Sequence, residues 1–484
     1  MPSSIKIIFM FVLSWFFLTA GLGMAQPGKE NNNLNDQQAE QKEDSQEKWE
    51  KVKIFKGFAR LSKESATCVS CHKEKSQGIY QMWGESKHFG ANVGCHECHQ
   101  AKPGEPAAIK HKDFVISVLV TPKVCGQCHE KEAKEFDASH HATAGQILGS
   151  LDNVLAEVVA GGKTFHGKSP DAVSGCEQCH GSEVKVNSDG TLDAATWPNS
   201  GIGRLNPDGS KGTCAACHSR HTFSAAQARH PDTCGKCHLG PDHPQKEIYE
   251  SSKHGISFFA NIGKMNLNSP KWIVGEDYSA APTCATCHMS ATRDLPITHD
   301  IGSRISWELR APVSQKIDAK AISQGKAVKP WLERRKDMQN VCGTCHGRNF
   351  YDNFYAQLDA FIELYNDKFA MPGVRLIKAL KEEKLLTKTE FDEKLEWTWY
   401  LLWHHEGRRA RHGAAMMGPD YAHWHGLFEV AQRFYNEMIP EIREIIEKAR
   451  HAGNEAGANK IHTLLDEVLN SEHHRWFLGQ QNIK

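Results

Sequence analysis

The chain has 484 residues, with 58 basic and 58 acidic side chains and 39% hydrophobic residues. Its formal net charge is zero, so the composition offers no broad positive surface for a nucleic acid, and no nucleic-acid partner is predicted. The length would hold about three ordinary domains.

The N-terminal segment has the composition of an export signal. Lys6 precedes the apolar run IIFMFVLSWFFLTAGLGMA, which is short for a membrane span and ends in small residues. Residues 1–25 are therefore predicted to be a signal peptide cleaved after Ala25, with an uncleaved anchor as the alternative. Residues 26–53 are polar and charged, which predicts a disordered leader.

The unit Cys-x-x-Cys-His occurs eight times and uses every cysteine. The cysteines are Cys68, Cys71, Cys95, Cys98, Cys125, Cys128, Cys176, Cys179, Cys214, Cys217, Cys234, Cys237, Cys284, Cys287, Cys342 and Cys345. The histidines that follow them are His72, His99, His129, His180, His218, His238, His288 and His346. Zinc sites or disulfides would not explain these histidines, whereas c-type haem needs two thioether bonds and an axial imidazole. The pattern predicts eight covalently bound haems and, because such haem is attached outside the cytoplasm, an exported protein.

The pattern of the sequence changes near residue 350, from haem motifs to apolar residues at helical spacing. Residues 54–349 consist of the motifs joined by short segments, which predicts an octahaem cytochrome c domain with few strands. The haems would supply much of the apolar interior of this domain. Residues 350–484 carry apolar side chains at helical spacing, such as Phe354, Leu358 and Phe361. They are predicted to form four or five long helices, packed as a bundle or against a partner subunit, with the aromatic run from Trp397 to Trp403 in the helix core or a subunit interface. The fold class predicted is mainly α.

The histidines outside the motifs help to decide whether the protein only transfers electrons or also catalyses a reaction. Of 28 histidines, eight follow a motif and 20 remain. A haem with two imidazoles can only pass electrons, whereas one without a sixth protein ligand can bind substrate. Several spare histidines sit in a Ser-x-His pattern, and the predicted distal ligands are His88, His111, His141 (or its neighbour His140), His221, His254, His299 and His412. Seven candidates for eight haems predict one open iron, although the other 13 histidines could supply an eighth ligand.

Asp242 and His243 form an adjacent acid and base just after the sixth motif. Such a pair can accept protons from a bound substrate. The alternative is a surface turn over residues 240–243, whose Gly-Pro-Asp sequence is typical of turns.

Several blocks resemble the octahaem hydroxylamine oxidoreductase family over about residues 65–440. They are SRHTFSAAQARHPDTCGKCHLGPDH, SKHG, APTCATCHM and THDI. The resemblance implies that the haem on Cys176, Cys179 and His180 is catalytic and of the modified P460 type, with Asp242 and His243 on its distal side. It also implies that the other seven haems are bis-histidine.

The segment HGAAMMGPDYAHWHG places Tyr421 where the family has a tyrosine bonded to the catalytic porphyrin of a neighbouring subunit in a homotrimer, with His412 as the distal ligand upstream. The alternative for Tyr421 is an unbonded interface aromatic, and family members without the bond resemble nitrite reducers. The sequence departs from the ammonia-oxidiser members at ISWELR, where Arg310 stands near the position of a distal tyrosine.

The resemblance implies oxidation of hydroxylamine to nitric oxide at the open iron held by His180. Asp242 and His243 would take protons, Arg310 would stabilise an anionic nitrogen intermediate, and electrons would pass through seven haems to a cytochrome acceptor. The expected location is the periplasm or an equivalent compartment such as an anammoxosome lumen. The alternatives are hydrazine oxidation, nitrite or nitric oxide reduction, and pure electron transfer with all haems closed.

Overall fold

The computed structural model describes residues 61–147, 175–306, 314–325 and 327–480. All of them belong to one compact unit, Gly57–Lys484. The predicted signal peptide (1–25), the predicted leader (26–53) and Arg310 lie outside the described residues.

The described chain up to Gly343 consists of short helices separated by loops. The α-helices are α1 Lys63–Lys75, α2 Gln77–Gly84, α3 Lys87–Gly90, α4 Cys95–His99, α5 Pro122–Cys125, α6 Glu130–Ala138, α7 Ala144–Ile147, α8 Glu177–His180, α9 Ala225–Arg229, α10 Pro231–Gly235, α11 Gln245–Ser251, α12 Lys253–Asn261, α13 Cys284–His288, α14 Ser314–Ser323 and α15 Trp331–Gly343. Single 3-10 turns cover His140–Thr143, Cys214–Ala216, Ile262–Lys264 and Ile301–Arg304. Within the described ranges, the one sheet is an antiparallel hairpin of β1 Ile109–His111 and β2 Phe114–Ile116, in which Lys110 lies opposite Val115.

Each haem motif spans about one helical turn, either as a short helix or as part of a longer one such as α1. The backbone N–H of His129 donates to the Cys125 carbonyl at 2.9 Å, and His238 donates to Cys234 at the same distance. One turn of helix brings residues i, i+3 and i+4 to the same face. Both cysteines and the histidine of a motif therefore point to one side of the backbone, as attachment to a single porphyrin requires.

Beyond Gly347 the chain forms four long helical segments over residues 348–382, 394–415, 419–451 and 455–469. Their α-helical stretches are α16 Arg348–Tyr365, α17 Met371–Glu382, α18 Lys394–Tyr400, α19 Gly407–Ala415, α20 Pro419–Ala422, α21 Glu429–Arg433, α22 Ile439–His451 and α23 Glu455–Leu469. The π-helical turns that join them are Asn366–Ala370, Leu401–Glu406, His423–Phe428 and Phe434–Met438, and a 3-10 turn covers Arg475–Leu478. Non-helical backbone at Gly426 bends the third segment.

The main hydrophobic core lies among these four segments. Leu380, Leu402, Phe434 and Ile461 are fully buried in it, and replacing such a leucine by alanine costs about 2–5 kcal/mol. Trp399 packs against the same core, as predicted for the aromatic run. The mainly α fold with a C-terminal bundle of long helices is thus confirmed. Within the described ranges, no helix combines the length and the apolarity that a membrane crossing requires.

Candidate haem and catalytic site

A cavity of about 3150 Å³ runs through the part of the molecule that carries the motifs. This volume is several times the roughly 300–1,000 Å³ of a site for one small ligand. The histidines of all eight motifs line the cavity, and so do His404, Arg408 and His412 from the segment 394–415. Both predicted regions, 54–349 and 350–484, therefore contribute to one site.

Six motif histidines face a second histidine across the cavity. The pairs, with the distance between ring centroids, are His72 and His111 (6.0 Å), His129 and His88 (6.2 Å), His99 and His221 (6.3 Å), His238 and His141 (6.0 Å), His218 and His299 (6.4 Å), and His346 and His254 (6.0 Å). All six partners are among the seven distal ligands predicted from the sequence. His141, rather than His140, is the partner in its pair, and the ring of His140 lies against Gly302 instead.

The separation of these rings fits an iron atom between two imidazoles. A metal lies about 2.0 Å from an imidazole nitrogen and the ring centroid lies about 1.1 Å behind it, so two axial ligands place their centroids about 6.2 Å apart. Burial lowers the pKa of His141 and of His218 to about 4, which keeps both rings in the neutral form that binds metal. The donor set and its spacing therefore fit bis-histidine haem.

Cysteines of different motifs are close neighbours. The neighbouring pairs are Cys68 and Cys95, Cys98 and Cys125, Cys125 and Cys214, Cys217 and Cys234, Cys234 and Cys284, Cys287 and Cys342, and Cys179 and Cys237. When the motifs are numbered in chain order, these contacts connect the first, second, third, fifth, sixth, seventh and eighth motifs in one row. The fourth motif lies beside the sixth and outside this row. Because each cysteine would hold a porphyrin edge, porphyrins bound here would follow the same row.

Asp242 and His243 lie where the fourth and sixth motifs meet. His243 is a charged neighbour of Cys179, and its ring centroid is 6.2 Å from that of His238. His243 Nδ1 is 2.5 Å from Asp242 Oδ1, and its Nε2 is 2.9 Å from the carbonyl oxygen of Cys237. The second carboxylate oxygen of Asp242 accepts a hydrogen bond of 3.2 Å from Nη1 of Arg408. The predicted pair is therefore part of a triad of Asp242, His243 and Arg408.

The triad holds Asp242 in its charged form. Burial alone raises the pKa of Asp242, but the hydrogen bond from His243 and the charges of His243, His404 and Arg408 outweigh it and lower that pKa to about 2. Burial likewise lowers the pKa of His243, but the hydrogen bond and charge of Asp242 and the bond to Cys237 raise it above its usual value. Both pKa shifts favour the charged forms, so the structure stabilises the two groups as an ion pair.

For His180, His412 and Tyr421 the structure gives a position but does not test the predicted role. His180 ends α8 and lines the cavity. His412 is buried on α19 with its Nε2 3.3 Å from Nε2 of Gln245, and its role as a distal ligand stays a prediction. Tyr421, in α20, is not among the described residues that line the cavity of its own chain.

Arg408 and His404 were not identified from the sequence as site residues. A usable signal was present, because His404, Arg408 and His412 are spaced four residues apart and so share one face of a helix. What the spacing could not reveal is that Asp242 faces them, since Asp242 and Arg408 are 166 residues apart in the chain.

Replacing His111 by alanine is expected to leave one haem without its second imidazole. His111 lies in the hairpin, and its ring centroid is 6.0 Å from that of His72. One low-spin EPR signal should be replaced by a high-spin signal while the haem content stays unchanged. His451, which is exposed at the end of α22, is the control, and its alanine variant should keep the wild-type spectrum. An unchanged low-spin spectrum for the His111 variant would exclude this residue as a ligand.

Two family descriptions match the chain. "Seven times multi-haem cytochrome CxxCH" matches residues 203–391, and "Cytochrome c554 and c-prime" matches residues 29–100 and 124–203. Together with the motif turns and the facing histidines, these matches define a multihaem c-type cytochrome, an electron-transfer protein of the oxidoreductase class.

The chain is also similar to longer proteins. A probable nitrite reductase-hydroxylamine oxidoreductase fusion protein of Kuenenia stuttgartiensis is 27% identical over 337 residues, which are 61% of this chain and 35% of that protein. Multiheme cytochrome MtrA of Shewanella baltica (strain OS185) is 31% identical over 75 residues, which are 16% of this chain and 20% of that protein. The chain thus spans only a minor part of the length of these two relatives.

Two solved structures share the fold. One is a hypothetical multiheme protein, 28% identical, with a TM-score of 0.68 over 81% of this chain and 97% of that one. The other is a reducing HAO-like protein complex of Kuenenia stuttgartiensis, 20% identical, with a TM-score of 0.56 over 82% of this chain and 87% of that one. The matched families and the similar proteins support a multihaem cytochrome c family whose members include hydroxylamine oxidoreductase-like proteins.

Proposed function

We propose that this protein binds eight haems and oxidises hydroxylamine to nitric oxide at the fourth motif, then passes the electrons to a cytochrome acceptor. The observation that carries the proposal is the position of that motif. Its cysteine neighbours the sixth motif beside the row formed by the other seven, at the point where Asp242, His243 and Arg408 form a largely buried triad. A substrate-binding haem at the fourth motif could pass electrons to the row of the other seven without interrupting it.

Oxidation of hydroxylamine to nitric oxide releases three protons and three electrons. A haem of the P460 type, bound by Cys176, Cys179 and His180, would supply an iron that binds the nitrogen compound and takes its electrons. Asp242 is a charged acceptor beside that motif, and His243 would release its own proton before it takes the next one from Asp242. Arg310 is proposed to add positive charge for an anionic intermediate. The seven predicted distal histidines, including His412, would close the other seven irons.

Tyr421 is proposed to reach the catalytic porphyrin of a neighbouring subunit in a homotrimer. The turn that carries it is bordered by exposed apolar side chains, with Met417 53%, Trp424 56% and Phe428 50% exposed. An apolar surface of this kind is typical of a subunit contact. The exported location, with residues 1–25 as a signal peptide and the periplasm or an equivalent compartment as destination, is part of the same proposal.

A second candidate is nitrite reduction, and the hydrogen bonds of His243 favour it. Its Nδ1 lies 2.5 Å from Asp242 Oδ1 and its Nε2 lies 2.9 Å from the Cys237 carbonyl oxygen, and these two oxygens favour the ring with hydrogen on both nitrogens. A ring that already holds both hydrogens is ready to donate a proton. Nitrite reduction to nitric oxide consumes two protons and one electron and forms water, so a proton donor would serve it.

Steady-state assays in both directions distinguish the candidates. The purified haem-containing protein is mixed with hydroxylamine and an oxidised cytochrome c, and separately with nitrite and reduced methyl viologen. The first candidate expects faster hydroxylamine oxidation and an absorption band of the dithionite-reduced protein red-shifted from the ordinary c-type Soret band. Faster nitrite reduction without that band supports the second. A protein that turns over neither substrate nor hydrazine, and has only low-spin haem, is an electron-transfer cytochrome.

Replacing Tyr421 by phenylalanine is expected to remove a covalent link between subunits, because phenylalanine lacks the hydroxyl group that would form the bond or activate the ring carbon that forms it. The wild-type protein should keep a trimer band on a denaturing gel, and the variant should run as a monomer. Trp424→Phe, in the same exposed patch, should keep the trimer band. A wild-type protein that itself runs as a monomer would reject the cross-link.

A further inference from the structure

The helical segment 394–415 presents a basic face to the cavity. His404 lies in the π-helical turn Leu401–Glu406, and Arg408 and His412 follow in α19. All three line the cavity on the side where Asp242 and His243 lie. The face therefore belongs to the region of the proposed reaction, although it comes from the C-terminal bundle.

Arg408 holds one of the two oxygens of the Asp242 carboxylate. Its Nη1 is 3.2 Å from Oδ2, while His243 Nδ1 is 2.5 Å from Oδ1. The side chains of Arg408 and Asp242 are only 14% and 17% exposed. Because each oxygen contacts its own basic side chain, the carboxylate cannot rotate without breaking both contacts, and a partly buried pair of this kind is costly to break.

The neighbouring arginines are directed elsewhere. Arg409 pairs with Glu429 at 2.5 Å, whereas Arg411 donates to the Gly407 carbonyl at 2.9 Å and stacks on Tyr365. The guanidinium of Arg408 lies 5.5 Å from the centroid of the Trp403 ring, within the range of a cation–π contact. Among the arginines of the sequence RRAR, the contact with Asp242 thus belongs to Arg408.

The helix that carries Arg408 is held by close packing at two glycines. A Cβ atom at Gly407 would lie 2.2 Å from the Tyr365 hydroxyl, and one at Gly413 would lie 2.3 Å from the backbone nitrogen of Ala422. The first contact fixes α19 against α16, and the second fixes it against the turn that bears Tyr421. Arg408 is therefore presented by an element with little freedom to move.

We infer that Arg408 is a positioning residue that orients the Asp242 carboxylate for proton exchange with the nitrogen substrate. This inference rests on the proposed function and deepens it, because it assigns the geometry of the proton acceptor to the C-terminal bundle. Arg408 touches Asp242 and acts through it. In its absence the carboxylate keeps a single donor, His243, and loses its fixed orientation.

The test is a double-mutant cycle on the haem-loaded full chain, with R408Q, R408K, D242N and the double variant D242N/R408Q. R408Q is expected to lower kcat for hydroxylamine oxidation about 10- to 100-fold, the range for residues that orient a catalytic group. KM should change less than about twofold, since uniform substrate binding is retained. R408K should recover part of kcat. In the D242N background, R408Q should lower kcat by less than about twofold, because a residue that acts through Asp242 has nothing left to orient.

The matched control is R409Q, which removes an adjacent guanidinium whose partners are Glu429 and Glu406 rather than Asp242. It should keep the wild-type kcat and haem spectrum. The infrared stretch of carbon monoxide added to the dithionite-reduced protein is a second readout, because the distal charges set its frequency. D242N and R408Q should shift this stretch, and their combination should shift it no further than D242N alone.

A wild-type kcat and carbon monoxide stretch in R408Q, an equal loss in R409Q, or additive effects in the double variant would overturn the inference and leave the proposed function standing. If R408Q fails to take up haem, the double variant D242N/R408Q should take up haem normally, because it leaves no unpaired carboxylate at position 242. A double variant that also fails to take up haem would overturn the inference. A wild-type protein that neither turns over a nitrogen substrate nor binds carbon monoxide would reject the proposed function and this inference with it.

Discussion

Changing Cys176 and Cys179 together to serine is expected to abolish hydroxylamine oxidation, because the fourth motif could no longer attach its porphyrin. The intact mass should fall by one haem. The two cysteines are on or beside α8, outside the row of neighbouring cysteines that joins the other motifs. The other haems should therefore still be reduced by dithionite and reoxidised by a cytochrome acceptor, so that electron transfer survives without catalysis.

The matched control is the same double change at Cys68 and Cys71, at one end of the row. That variant also loses one haem, but a single addition of hydroxylamine should still reduce the haems that remain. If instead the Cys68 and Cys71 variant loses single-turnover reduction, and the Cys176 and Cys179 variant keeps it, the catalytic haem has been assigned to the wrong motif.

Asp242→Asn is expected to lower kcat by about a hundredfold or more, the range in which a positioned acid or base contributes. The amide cannot take a proton and replaces one acceptor oxygen by a donor, which then faces either His243 or Arg408. The haem absorption spectrum should stay intact, because Asp242 follows the sixth motif and is not one of its ligands.

Asp232→Asn is the control for a lost carboxylate on the same stretch of chain. Asp232 is largely exposed and pairs with Lys246 at 3.3 Å rather than with His243. Its variant should turn over at the wild-type rate. Unchanged kinetics in the Asp242 variant would remove the proton role from this residue, whichever direction the reaction takes.

Local chemistry made part of the site predictable. A histidine directly after the second cysteine becomes an axial ligand within one helical turn, so motif and ligand are read together. The adjacency of Asp242 and His243 likewise placed an acid beside a base without reference to the rest of the chain. Six of the predicted distal histidines do face a motif histidine, among them His88 and His254.

The long helices of the C-terminal bundle were predictable for the same reason. Apolar side chains repeat there with the helical period, as at Phe354, Leu358 and Phe361, and a helix is specified by residues three and four positions apart. The sequence did not predict the π-helical turns within three of the four segments. These turns depend on how each helix packs along its length.

The sequence by itself determined the class of cofactor, c-type haem, because a thioether pair and its histidine lie within five consecutive residues. Only the tertiary structure decided which histidine faces which motif and which side chain holds Asp242. His299 faces His218, and Arg408 reaches Asp242 from 166 residues away. Such contacts depend on how separate loops and helices pack around a common cavity, and no short-range spacing encodes that arrangement.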